Sequence, residues 1–166
     1  VSQYRLALHL SIAFFILGYI LWLILELLPS SPVASRNLWL HCTLSVLSVV
    51  VFTTIISGGL VAGLNAGFVY NTWPLIDGKL VPAHMFEGDF FWHSAFENAL
   101  IVQFDHRVLA YLSVFIAICS GCFGFRRANS LWQTCISISL IVAALLQLML
   151  GIATLLSVVA LPLAVL

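Results

Sequence analysis

Residues 96–107 read FENALIVQFDHR, and the rest of the chain is organised around this stretch. It is polar at both ends and leads into residues 108–125, which are mainly hydrophobic. A helix formed here would carry ionisable side chains near its start and apolar side chains along its length. Ionisable groups at a membrane boundary are costly and rare, so they are candidates for function. The ionisable members are Glu97, Asp105, His106 and Arg107.

The composition indicates an integral membrane protein. Of the 166 residues, 63% are hydrophobic and 7% are charged, and the mean hydropathy is +1.15. A soluble domain carries about 25% charged residues, and a soluble core of this size has no room for so much apolar surface. The six basic and six acidic side chains balance. This argues against a nucleic acid partner, because proteins bind the phosphate backbone through an excess of basic side chains.

Four apolar runs are long enough to cross a bilayer, which takes about 20 residues. We predict spans at about 6–28, 38–64, 99–125 and 131–159. A long loop, residues 65–98, joins the second span to the third. The expected fold is all-α, a polytopic transmembrane helix bundle that forms a single transmembrane domain. The chain starts at Val1 and stops inside an apolar run, so we expect a fragment of a longer membrane protein.

The basic residues give the expected orientation. Four spans place the two short connections on one face and loop 65–98 on the other. Arg126 and Arg127 lie in a very short connection, and short cytoplasmic loops are enriched in basic residues. We therefore expect the short loops to face the cytoplasm or matrix, and loop 65–98 to face the periplasm or intermembrane space.

Two histidines, His9 and His106, are predicted to lie at similar depth near the outer face. Neutral imidazole inside a membrane helix is a suitable haem ligand, because one ring nitrogen binds iron while the other needs a hydrogen-bond partner. Their shared depth would pair them on one haem. The alternative for His9 is a hydrogen bond to a neighbouring helix.

Three charged neighbours accompany His106. Asp105 points in a different direction on a helix, so we expect it to interact with free N–H groups near the helix start rather than with the His106 ring. Arg107 is a candidate for bidentate binding of a carboxylate such as a haem propionate, and the alternative is snorkelling to lipid headgroups. Glu97 is a candidate proton carrier, and the alternative is a solvated loop acid or helix cap.

The remaining histidines rank lower as ligands. His41 lies near the start of the second span, on the inner side. His84 and His93 lie in the loop, where we expect them to be solvated, although His93 is also a weaker candidate for approaching the outer site.

Glycines recur at spacing four within the run SGGLVAGLNAG, residues 57–67. Gly59, Gly63 and Gly67 would form one stripe on a helix, the G-x-x-x-G pattern of close helix packing. The alternative, compatible with packing, is that a flat macrocycle lies against this smooth surface.

All four cysteines lie within apolar runs, and two of them have C-x-x-C spacing. This spacing can indicate redox or metal chemistry. The pair sits in the middle of a span with no second pair, so we favour small buried hydrophobic residues. The cysteines are Cys42, Cys119, Cys122 and Cys135.

Two long motifs resemble the haem A synthase family, most closely its mitochondrial and alphaproteobacterial type. They are SGGLVAGLNAGFVYNTWPLIDGKLVP, residues 57–82, and FENALIVQFDHR, residues 96–107. The runs YRLALHL, residues 4–10, and QLMLGIATLL, residues 147–156, also match in place. The resemblance covers essentially the whole chain.

The resemblance implies a particular place for each histidine. Members of the family have eight helices in two related halves, and each half holds haem with a pair of histidines. This chain resembles helices four to seven. His9 would then be the second ligand of the first half, and His106 the first ligand of the second half. The two histidines would serve different haems, which replaces the pairing that depth alone suggests.

The resemblance also implies the chemistry and the partners. The family oxidises a methyl group of haem O to the formyl group of haem A for cytochrome c oxidase. One haem site would hold this substrate, and a haem b in the other site would pass electrons. By itself the fragment is expected to be inactive. Other expected partners are an unidentified electron donor, membrane lipid, haem O synthase and a second copy of the chain. The bacterial inner membrane or mitochondrial inner membrane is the expected location.

Two other functions remain open on the residues alone. One is a non-catalytic membrane b-type cytochrome that only carries electrons. The other is a haem-free membrane assembly protein. The QFDHR run, residues 103–107, favours the readings that involve haem.

Overall fold

Four long helices dominate the computed structural model, which describes residues 2–28, 37–82 and 95–158. They are α1 (Gln3–Leu27), α2 (Leu38–Gly63), α4 (Ala99–Arg126) and α5 (Leu131–Leu156), with a short helix α3 (Ala66–Val69) after α2. All four long helices are long and apolar enough to cross a membrane. The predicted all-α fold with four membrane-spanning helices is confirmed.

Side-chain caps mark where three of these helices begin. The side chain of Asn37 accepts a hydrogen bond from the Leu40 backbone N–H at the start of α2. Asn98 accepts one from Leu100 N–H, and Ser130 accepts one from Gln133 N–H. Within hydrocarbon the remaining backbone groups must bond inside the segment, and a continuous helix meets that requirement.

The long helices pack in chain order, α1 on α2, α2 on α4 and α4 on α5. Two of these contacts are made through glycines. A methyl group at Gly59 would lie 2.8 Å from Ala7 Cα, and one at Gly63 would collide with the backbone of Gln3. At the contact between α4 and α5, a methyl group added at Gly124 would lie 2.7 Å from Ser137 Oγ.

The glycine pattern therefore serves helix packing, as expected, but not as one stripe. Helix α2 ends at Gly63, and Asn65 adopts a left-handed conformation with φ of 55°. Gly67 consequently belongs to α3. Because α1 covers Gly59 and Gly63, the alternative of a macrocycle lying against these two glycines is wrong.

The cysteine interpretation is also wrong in one respect. All four cysteines are exposed on the surface of the chain rather than buried. Packing in a row leaves much of each helix without a neighbour, so an apolar sequence position need not be an interior one. In the membrane these thiols would face lipid or other protein.

Candidate functional site

His106 lies about two turns into α4, with its ring against α2. Ring atom Nδ1 is 2.9 Å from Ser57 Oγ, and the Ser57 hydroxyl donates to the Thr54 carbonyl oxygen at 2.8 Å. A hydroxyl has a single proton to donate. Both contacts are satisfied together when Nδ1 carries the proton and donates to Ser57, which leaves Nε2 as the nitrogen with the free lone pair.

A glycine on α2 allows the ring to come close to the backbone. A methyl group at Gly58 would lie 3.2 Å from His106 Cε1. The side-chain hydrogen bond that His106 makes to a described residue is at Nδ1, so Nε2 is the ring nitrogen that could bind a ligand. A histidine held at one nitrogen and open at the other is the arrangement that metal-binding imidazoles use.

A second polar contact joins the same two helices. Thr54 Oγ1 lies 3.1 Å from Ser113 Oγ. Ser113 follows His106 by seven residues, about two turns, so both point from one face of α4 toward α2. These contacts fix the rotation of α4 relative to α2, and with it the direction of the His106 ring.

A partly open cavity of about 140 Å³ lies between the two helices on the side of Ser57. Its lining includes apolar side chains and one carboxylate, namely Leu60, Phe96, Val102, Leu109 and Asp105. The expectation that Asp105 interacts with the helix start is wrong. Helix α4 begins at Ala99 with Asn98 as its cap, so no acidic residue lies in the first turn.

Arg107 is buried, with 8% of its surface exposed. Its two terminal nitrogens donate to backbone carbonyls, Nη2 to Tyr70 at 3.1 Å and Nη1 to Leu75 at 3.5 Å. Snorkelling to headgroups does not describe this side chain. Binding of a haem propionate by Arg107 stays a prediction, and Nε is the guanidinium nitrogen without a partner among the described residues.

Glu97 lies just before α4 and is exposed. Its carboxylate accepts a hydrogen bond from the Tyr4 hydroxyl at 3.0 Å, which links the start of α1 to the start of α4. Glu97 is not among the residues that line the cavity beside Ser57. Its role as a proton carrier stays a prediction.

His9 is exposed on α1. Ala7, two residues earlier, is buried against Gly59 of α2. Two residues turn a helix by about 200°, so His9 points away from α2, and the site that contains His106 is built without it. The assignment of His9 and His106 to different haems stays a prediction.

The other histidines lie elsewhere. His41 is exposed, four residues into α2 and at the opposite end of that helix from Ser57. His84 and His93 fall outside the residues that the structure describes, as do residues 83–94 of the predicted outer loop.

Sequence reasoning missed the partners of His106. Ser57, Gly58 and Thr54 are supplied by a different helix, and no local pattern relates them to residue 106. The available signal was a serine and two threonines within the apolar run 49–61, since hydroxyl groups in a membrane helix often hydrogen-bond to a neighbouring helix.

The donor chemistry of His106 fits a haem, because Ser57 bonds one ring nitrogen, Nδ1, and Nε2 is the remaining nitrogen that could bind iron. Pockets for small molecules measure about 300–1,000 Å³, and the neighbouring cavity is smaller at about 140 Å³. This cavity, whose lining includes Ser57 but not His106, is therefore too small to hold a macrocycle by itself.

Comparison with known proteins agrees with this picture. The profile of the COX15-CtaA family, cytochrome oxidase assembly protein, matches residues 1–166. The chain is 46% identical to the heme A synthase of Granulibacter bethesdensis, over 99% of the chain and 43% of that protein. It is 42% identical to the heme A synthase of Paramagnetospirillum magneticum, over 96% of the chain and 46% of that protein.

A third heme A synthase, from Nitrosospira multiformis, is 39% identical over 99% of the chain and 47% of that protein. The chain thus spans about half the length of the curated relatives that it matches. No solved structure gives a significant match. With a matching profile along its whole length and four apolar helices of spanning length, this integral membrane chain belongs to the COX15-CtaA family of cytochrome oxidase assembly proteins.

Proposed function

We propose that the chain forms part of a haem A synthase, a membrane oxidoreductase that oxidises a methyl group of haem O to the formyl group of haem A. Its relatives carry that name. The structural observation that carries the proposal is the His106 ring, which is bound to Ser57 through Nδ1 and open at Nε2. The activity would belong to the full-length protein, because the chain covers about half of its relatives.

In this proposal His106 would hold a haem b through a ring nitrogen, and His9 would hold a second haem. Bound haem supplies one-electron chemistry at iron. The chain's own contribution is to orient the ligand. Ser57 accepts from Nδ1 and is itself anchored on the Thr54 carbonyl oxygen, which fixes the tautomer and the plane of the ring.

The apolar side chains around the cavity have a second role. Leu60 and Val102 are buried beside it, and Leu109 adds to its lining. They make the cavity beside Ser57, the partner of His106, mainly apolar, and exclusion of water near a haem site helps to set the reduction potential of a bound haem. Glu97 as a proton carrier completes the proposal for the site.

The location and partners extend the proposal. The membrane is a bacterial inner membrane or the mitochondrial inner membrane, with the connection at 65–98 on the periplasmic or intermembrane side. Haem O is the substrate. The electron donor is a separate protein or small carrier, and haem O synthase, membrane lipid and a second copy of the chain are candidate neighbours.

The test uses the full-length protein, purified with its haem. We expect His106→Ala to remove the absorption bands of one low-spin haem b and to abolish conversion of haem O to haem A, because the ligand nitrogen is gone. Bands unchanged by His106→Ala would contradict the ligand assignment. Haem b without any conversion in the wild-type protein would indicate an electron carrier, and a colourless wild-type protein would indicate a haem-free assembly factor.

A matched variant separates the two haems. His9→Ala should leave the bands that depend on His106 in place and remove those of the other haem. Loss of the same bands in both variants would show that the two histidines share one haem.

A further inference from the structure

Three polar side chains of α4 contact the same outer connection. Gln103, Arg107 and Tyr111 are spaced four residues apart, so they form one row along the helix; we call it the α4 polar row. Residues 70–76, which follow α3, are called the outer segment. All three members of the row hydrogen-bond to it.

The contacts run along the outer segment from one end to the other. Gln103 Nε2 donates to the Tyr70 carbonyl oxygen at 3.4 Å, and Arg107 Nη2 donates to the same oxygen at 3.1 Å. Arg107 Nη1 also donates to the Leu75 carbonyl oxygen. The indole N–H of Trp73 donates to the Tyr111 hydroxyl at 2.9 Å.

The outer segment has internal structure of its own. Thr72 donates its hydroxyl proton to the Leu75 carbonyl oxygen at 2.7 Å and accepts from the Asp77 N–H at 3.3 Å. Ile76 pairs with Lys79 through two backbone bonds and is 2% exposed. The α4 polar row therefore holds a folded turn rather than an extended strand of chain.

Burial shows that this contact is closed at Gln103 and Arg107, whereas Tyr111 and Trp73 at its other end are each 42% exposed. Gln103 is 3% exposed and Arg107 is 8% exposed. A buried guanidinium is costly unless its N–H groups are satisfied, and Arg107 meets this need at Nη1 and Nη2 with backbone carbonyls of the outer segment. Removing Arg107 would take away the hydrogen bond from Nη1 to the Leu75 carbonyl oxygen. The Tyr70 carbonyl oxygen would then keep Gln103 as its donor from the α4 polar row.

Two buried atoms of the α4 polar row have no partner among the described residues, Gln103 Oε1 and Arg107 Nε. One is an acceptor and the other is a donor, so together they suit a water molecule, which both donates and accepts. A carboxylate suits them less well, because Oε1 would repel it. The free atoms of the row thus favour a closed structural contact over the binding of an anion.

We propose that the α4 polar row holds the outer segment as a fixed outer wall beside the haem site at His106, with Arg107 as a positioning residue. This rests on the proposed function, since the wall matters only where haem binds. Arg107 follows His106 directly and lies about 100° away around the helix, so the outer segment packs on the face of α4 next to the one that carries the His106 ring. Its effect is to limit the access of water to a haem bound there.

Hydrogen–deuterium exchange of the peptide that covers 70–79 tests the contact in the full-length protein. We expect Arg107→Lys to raise exchange about tenfold, because a single ammonium cannot bridge two carbonyls and bonds to charged groups are the stronger ones. Tyr111→Phe removes one neutral bond and should raise exchange about fivefold. Ser113→Ala, which alters the α2 side of the same helix, should leave exchange of this peptide unchanged.

The reduction potential of the haem that depends on His106 is the second measurement. Water at a haem stabilises its charged oxidised form, so Arg107→Lys and Tyr111→Phe should both lower the potential, although only the first changes a cation. A lower potential in Arg107→Lys with unchanged exchange would overturn the proposal and indicate direct contact with haem. Faster exchange with an unchanged potential in both variants would overturn the role of the outer segment as a wall.

Failure of the proposed function would look different. A full-length protein that binds no haem would contradict that function and the wall's role together. The exchange rates would then still decide whether the α4 polar row holds the outer segment, because they need no haem. Unchanged exchange in Arg107→Lys and Tyr111→Phe would overturn that part as well.

Discussion

Gly58 and Gly59 are neighbours in the sequence, yet they face two different helices with different roles. Gly59 faces the backbone of Ala7 on α1, whereas Gly58 faces the ring of His106 on α4. The contact with α1 is made by main chain against main chain. The contact with α4 is made through side chains, with Ser57 bonded to His106 and Thr54 next to Ser113.

Under the proposed function, one helix would serve both packing and haem binding. On the α1 side, small residues bring two backbones together, and attraction comes from close packing. On the α4 side, the hydroxyl groups of α2 hold a histidine in one orientation. The two sides should therefore respond differently to mutation, one in stability and the other in haem binding.

The largest effect is expected on the packing side. In Gly59→Ala the new methyl group would lie 2.8 Å from Ala7 Cα and 3.2 Å from Ala7 N, which are main-chain atoms that cannot move alone. Overpacking of this kind costs about 1–3 kcal/mol. Thermal unfolding in detergent should show this loss of stability, while the spectrum of the haem that depends on His106 stays that of the wild type in the folded fraction.

The chain offers matched controls for this substitution. Gly18 and Gly151 also lie within long helices, and a methyl group at either position meets nothing within 4 Å. Gly18→Ala and Gly151→Ala should leave stability unchanged or raise it by up to about 1 kcal/mol, because alanine favours helix. Equal losses in Gly59→Ala and Gly18→Ala would mean that α1 does not pack on α2 as described.

On the α4 side, Ser57→Ala is expected to act on haem rather than on the fold. It removes the acceptor of the His106 Nδ1–H, and loss of such a partner typically costs 10–100-fold in metal affinity. Titration of the full-length protein with haem, followed by absorption, should show this weakening. Thermal stability without haem should change by about 1 kcal/mol or less, the size of one hydrogen bond.

Ser48→Ala is the control on the same helix, because the Ser48 hydroxyl is exposed and donates to the Leu44 carbonyl of its own helix. It should leave haem affinity unchanged. Wild-type affinity in Ser57→Ala would show that the bond to His106 does not orient the ring.

The long helices were predictable because the membrane imposes a simple rule. Runs of about 20 apolar residues between polar breaks have to be helical in hydrocarbon. The start of α4 was also readable, since Asn98 can cap a helix and precedes the apolar run. Which faces meet was not predictable, because apolar side chains surround each helix and give no stripe that points to a neighbour. The exposed cysteines show this failure directly.

The candidate site was predictable only where one stretch of sequence contains it. His106 and Arg107 stood out because charged and titratable residues are rare in this chain. Ser57 did not, since serine is tolerated in any helix and its role depends on how α2 and α4 pack. The partners of Arg107 are backbone carbonyls at Tyr70 and Leu75, and every residue has a carbonyl, so side-chain identity cannot reveal them.

Gly58→Ala tests whether the two adjacent glycines of α2 face different helices. Its methyl group would lie 3.2 Å from His106 Cε1, a contact that is relieved if the ring shifts by a few tenths of an ångström. Stability should change by less than Gly59→Ala changes it, because a side chain yields more easily than a backbone. Electron paramagnetic resonance of the ferric haem should show altered g values, which report the orientation of the ligand ring.

The opposite pair of results would contradict this assignment of the two glycines. If Gly58→Ala unfolds the protein while Gly59→Ala alters only the g values, then the faces of α2 have been assigned to the wrong helices. Unaltered g values in a folded Gly58→Ala protein would place the ring farther from α2 than the structure does.

The smallest effect is expected for the hydroxyl contact between Thr54 and Ser113. A double-mutant cycle with Thr54→Val and Ser113→Ala keeps the shape of the first side chain and removes both hydroxyls. Hydrogen bonds between membrane helices average about 0.6 kcal/mol, because both hydroxyls find other partners when the helices separate. The hydroxyls of Thr54 and Ser113 already donate within their own helices, at 2.8 Å to Val50 and 2.9 Å to Leu109. We therefore expect a coupling energy of about 0.6 kcal/mol or less in unfolding measurements.

A coupling energy as large as the loss of stability in Gly59→Ala would mean that polar contacts hold α4 as strongly as glycine packing holds α1. The division between a packing side and a chemical side of α2 would then fail.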